Sequence, residues 1–80
     1  MIVVKSEKEL FNLAKMYAML EMDYDKTYSE FEREEIKESM KEIRNTLFVV
    51  GYDVNKFVEY QQMYKTMTIE EYFEFIKTLE

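Results

Sequence analysis

The sequence predicts an all-α fold, a small bundle of three to four helices joined by short loops. Three observations lead there. Apolar residues recur at three- and four-residue steps in four separate stretches. A Ser, Thr or Asp able to cap a helix precedes each stretch. The chain has no proline and one glycine, which disfavours long loops and tight β-hairpins. With 48% hydrophobic and 16% aromatic residues it is too apolar for intrinsic disorder, despite 35% charge. Its 80 residues suit one small domain.

The first helix is expected from about Glu7 to Met22. Ser6 and Glu9 have capping-box spacing, and Leu10, Leu13, Ala14, Tyr17, Ala18 and Leu20 mark one face, which Met16 and Met19 widen. Residues Asp23 to Tyr28 read as a polar connection. Thr27 and Ser29 each stand three residues before a glutamate, so either can start a second helix, running from about 28 to 50. Its inner positions are Ile36, Met40, Ile43, Leu47 and Val50. Gly51 then supplies a left-handed stop, with Leu47 and Tyr52 placed for the accompanying apolar contact.

Asp53 caps a third helix over about 54–65, with Tyr52 and Phe57 as its hydrophobic staple and Val54, Phe57, Val58, Gln61 and Tyr64 facing inward. Thr68 and Glu71 form a second capping box, stapled by Met67 and Tyr72. Ile69, Tyr72, Phe73, Ile76 and Leu79 line a last helix over 69–79. Met1 to Val4 read as an apolar arm covering a helix, in preference to a short strand. No basic segment followed by a long apolar core opens the chain, and no apolar run approaches the roughly 20 residues of a membrane span, so a cytoplasmic, soluble protein is expected.

Composition removes several chemistries. Without cysteine there is no thiolate nucleophile or thiolate metal site, and without histidine the commonest transition-metal ligand and near-neutral base are missing. Ser6, Ser29 and Ser39 have no base to activate them, and no glycine-rich loop cradles phosphate. No enzyme and no cofactor are expected. Asp23, Asp25, Thr27, Ser29 and Glu34 echo the ligand spacing of a calcium loop. Tyr28 stands where the turn wants glycine and Glu30 where an apolar residue packs, so no metal site is expected.

Charge is the strongest asymmetry. The net charge is −6, and residues 21–38 hold eight carboxylates against Lys26, Arg33 and Lys37. On the second helix Glu34, Glu38 and Glu42 form an acidic line beside a basic line of Arg33, Lys37, Lys41 and Arg44. The basic residues are too scattered for phosphate contact, and a recognition helix carrying Glu70, Glu71 and Glu74 would be repelled by a nucleic-acid backbone, so no direct nucleic-acid binding is expected.

Tyr24, Tyr28, Tyr52, Tyr60, Tyr64 and Tyr72, with Met63 and Met67, exceed what one small core needs. Where such side chains coincide with carboxylates, the candidate contact surface is Asp23, Tyr24, Asp25, Tyr28, Glu34 and Glu38; the alternative is a solvated acidic helix face, with the tyrosines filling and rimming the core. The function read from the chain is a non-enzymatic acidic module that regulates or inhibits a protein with a basic surface. One form of it is nucleic-acid mimicry on a basic groove, as small phage or mobile-element inhibitors act. The alternative is a structural homo-oligomer using the surplus aromatics as its interface.

Overall fold

A computed structural model describes residues 6–79. The arm expected at Met1 to Val4 lies outside the described residues. Among those described, the chain forms four helices and no strand: α1 (Glu7–Lys26), α2 (Glu30–Val50), α3 (Val54–Thr66) and α4 (Ile69–Leu79). The connections are two to three residues long, and the caps explain why. The Ser6 hydroxyl accepts from the Glu9 amide at 3.1 Å. Asp53 Oδ1 accepts from the amides of Asn55 and Lys56. Thr68 and Glu71 satisfy each other's amides at 3.0 and 3.1 Å, a complete capping box. Gly51 sits at φ 82°, ψ 34°. Both its amide and that of Tyr52 donate to the Leu47 carbonyl, at 2.9 and 3.0 Å, while Tyr52 packs on the core that holds Leu47.

The first helix runs one turn further than its periodicity suggests, to Lys26 in place of Met22, so Asp23, Tyr24 and Asp25 are helical and not part of a loop. Tertiary contacts override the modest helix cost of the two aspartates. Arg33 and Lys37 of α2 lie over the Tyr24 ring at 5.1 and 5.9 Å, and Arg33 Nε donates to the Thr27 carbonyl at 3.0 Å. The second helix accordingly starts at Glu30. Ser29 is its cap, and the Thr27 hydroxyl donates to the Glu32 carboxylate at 2.6 Å.

α1 is the central element. It packs most extensively on α3, then α2, then α4. Its Phe11 is fully buried, with ring centroids of Tyr60 at 5.4 Å, Tyr72 at 6.1 Å and Phe75 at 4.8 Å around it. Leu10, Ala14, Ile43, Leu47, Phe57 and Tyr60 complete the buried cluster. Two inner faces differ from the sequence-based expectation. On α3 the buried residues are Phe57, Tyr60 and Gln61, whereas Val54 and Val58 face outward. On α4, Phe75 turns inward while Ile69 and Phe73 stay exposed.

Polar tips make the α3 rotation feasible. The Tyr60 hydroxyl donates to Glu7 at 2.6 Å, and the Gln61 amide donates to Glu21. Glu21 is also paired with Lys65 at 3.3 Å. No buried polar side-chain atom among the described residues lacks a partner. Burial, then the hydrogen bond to Glu7 and the charges of Glu7 and Glu59, push the Tyr60 phenol up to about 12.

Candidate functional site

α2 leaves most of itself in solvent. Only Ile43 and Leu47 of its 21 residues are buried. Its seam with α1 is pinned by Tyr17, whose hydroxyl accepts from Arg44 at 2.9 Å and whose ring meets Phe57 edge-on. The overall extents, 38 × 33 × 21 Å, describe a flattened assembly. In it the α1–α2 pair is flanked by a groove on each side.

The first groove, about 460 Å³, gathers four of the six residues expected to form a contact surface: Tyr24, Asp25, Glu34 and Glu38. Its charge is nearly balanced. Glu21 adds a carboxylate, and Lys37, Lys41 and Arg44 line the same space. Lys37 lies 3.5 Å from Glu34, an exposed pair that contributes little to stability but dilutes the local negative field. Tyr24 is half-buried, and its ring face is occupied by the two α2 cations. Its evident structural job is to hold the end of α1 against α2.

The remaining two residues lie elsewhere. Asp23, about 100° round the helix from Tyr24, lines the opposite side of the pair. Tyr28 stands in the connection, 94% exposed. Asp23 and Asp25, two positions apart on one helix, therefore face different directions. Among the described residues no group of three or more carboxylates is close enough together to hold a metal ion.

The second groove was not singled out by sequence reasoning. Its floor is Leu13, Met16, Met19, Leu20 and Ile43, with Asp23 and Glu42 on the rim and a volume of about 480 Å³. It opens into a more polar hollow walled by Asp23, Glu32 and Glu35, where Lys26 is the lining cation. A signal for it exists in the sequence. Apolar positions occupy most of the circumference of α1, a wider arc than its three partners cover, and Met16 and Met19 are left 51% and 45% exposed.

The charge lines of α2 explain the difference between the grooves. Arg33, Lys37, Lys41 and Arg44 step along the flank beside Tyr24, while Glu32, Glu35 and Glu42 step along the flank beside the methionines. The outer surface of α2 also carries Phe31, Phe48 and Val49, which are 73%, 75% and 85% exposed.

No protein-family model matches this chain, and neither the curated proteins nor the solved structures compared with it yield a match. No helix among the described residues is long and apolar enough to cross a membrane.

Proposed function

We propose that the chain is a non-enzymatic protein-binding module that regulates or inhibits a partner protein bearing a basic surface. One observation carries this reading. α2 projects large apolar side chains and ordered rows of charge into solvent while contributing only two residues to the core. Surface aromatics beside charge are what a protein interface uses for anchoring and orientation. Nucleic-acid mimicry is the narrower form. It draws support from the carboxylates of Glu34, Glu38 and Glu42 on α2, and loses some because Glu42 turns to the other groove and the Lys37 ammonium lies beside Glu34.

Affinity capture from the source cell tests the reading. One dominant partner with a basic surface is expected, released steeply as salt rises. Capture of an acidic partner, or capture insensitive to salt, would sink it. Mimicry predicts in addition that duplex DNA or RNA competes for that partner.

Self-association is the second reading. α4 has no buried residue and leaves Ile69 and Phe73 75% and 59% exposed. Light scattering across micromolar concentrations distinguishes the two, because only the second predicts a mass that grows with concentration.

A further inference from the structure

We propose that the methionine-floored groove between α1 and α2, on the side away from Tyr24, seats a basic amphipathic helix of the partner protein; this rests on the protein-binding reading and assigns its surface. The apolar floor makes the site. Leu13, Leu20 and Ile43 form a fixed base, and the half-exposed Met16 and Met19 above them have unbranched, adaptable side chains that mould to an incoming apolar face.

The class of occupant follows from the walls. Both are helices, whose backbone amides and carbonyls are already paired, so an extended segment finds no edge to add to. A helix laid along the seam needs only side-chain contacts. The α2 wall runs from Glu32 to Thr46, about 21 Å at 1.5 Å per residue, which matches a helix of about four turns.

The sign of the occupant follows from the rim. Asp23, Glu32, Glu35 and Glu42 line the two joined hollows against Lys26. Among the described residues, the carboxylates of Asp23, Glu35 and Glu42 make no ion pair or hydrogen bond. A helix with lysine or arginine flanking its apolar stripe meets these carboxylates directly. The chain's own exposed amphipathic helix does not qualify. α4 carries Glu70, Glu71 and Glu74 against Lys77, and a second copy would bring like charge to the rim. An anionic lipid surface is disfavoured for the same reason.

The test uses the full chain labelled at its methionine methyl carbons. It is titrated with a synthetic 14-residue leucine–lysine amphipathic helix, and with a peptide of the same leucine positions in which glutamate replaces lysine. The Met16 and Met19 signals should shift saturably with the lysine peptide only, while those of Met40, Met63 and Met67 stay in place. Glu35→Lys with Glu42→Lys should weaken the lysine peptide about tenfold. Glu34→Lys with Glu38→Lys, turned toward the other groove, should change it less than about threefold. Met16→Gln with Met19→Gln, at half-exposed positions, should abolish the shift while leaving helical circular dichroism intact.

Equal effects of the two charge reversals would reduce the site to bulk charge and overturn the proposal. So would equal binding of the glutamate peptide, shifts centred on Met40, or Met16 and Met19 signals that move on simple concentration of the protein. If the groove fails in this way while salt-sensitive capture of a basic partner persists, only the groove assignment falls. If that capture also fails, the protein-binding reading falls with it.

Discussion

α1 and α2 are nearly equal in length, 20 and 21 residues, and the chain uses them in opposite ways. α1 has partners on three sides and buries Leu10, Phe11, Ala14 and Ala18. α2 touches the core along a single seam and spends its remaining surface on sorted charge and exposed aromatics. The difference lies in how many apolar arcs each helix carries. A wide arc draws several partners round a helix and can still outrun them, as at Met16 and Met19, whereas a narrow arc leaves the helix free to present chemistry.

Substitutions can break that comparison. The largest effect should come from α1. Phe11→Ala empties the site of the largest fully buried side chain among the described residues and should cost about 3–5 kcal/mol by denaturant unfolding. A loss below about 1 kcal/mol would mean that α1 is not the element around which the others pack. Next comes a neighbouring pair on α2. Leu47, 3% exposed, should cost about 2–4 kcal/mol when cut to alanine, and Phe48, 75% exposed, should cost almost nothing. Similar losses at both would show that α2 has a second buried face.

A smaller, pH-dependent effect belongs to Tyr60. Its phenol holds its proton up to about 12 when folded, against an ordinary value near 10. Between those values the unfolded chain releases this proton and the folded chain keeps it, so the stabilisation is complete below about pH 10 and is lost as pH rises toward 12. Tyr60→Phe should flatten this part of the alkaline unfolding curve relative to the parent. An unchanged slope would place the alkaline transition on other tyrosines. The smallest effect is expected from Glu34→Lys with Glu38→Lys, which should leave stability within about 0.5 kcal/mol. A large loss would make this face part of the fold and not a display surface.

Local chemistry was legible in the sequence, and partner choice was not. The Ser6, Asp53 and Thr68 caps and the Gly51 stop depend on residues two to five positions apart, and all four form as read. Phe11 and Tyr60 were missed as inward positions of their helices, and so was the partly buried Phe75 that packs on them. Their mutual packing spans up to 64 positions, and each competes with other apolar residues on its own helix. Periodicity shows that a helix has an apolar face; only the arriving partner decides which arc is enclosed. The site divides in the same way. The basic line of α2 was readable at three- and four-residue steps, whereas the expected acidic line divides, with Glu34 and Glu38 lining one groove and Glu42 the other. The extra turn of α1 was not readable, and it sends Asp23 and Asp25 to opposite flanks of the α1–α2 pair.

The enclosure of Phe11 has a consequence for how the chain is made. The side chains that surround it come from Tyr60, Tyr72 and Phe75, all supplied late in the chain. At roughly 5–20 residues per second, a ribosome needs several seconds to deliver them after α1 has emerged. Until α3 follows, the apolar surface of α1 has only the narrow seam of α2 to cover it, and the side of Phe11 that meets Tyr72 and Phe75 waits longer still. The time for which this apolar surface stays open during synthesis is therefore set by translation speed as well as by folding.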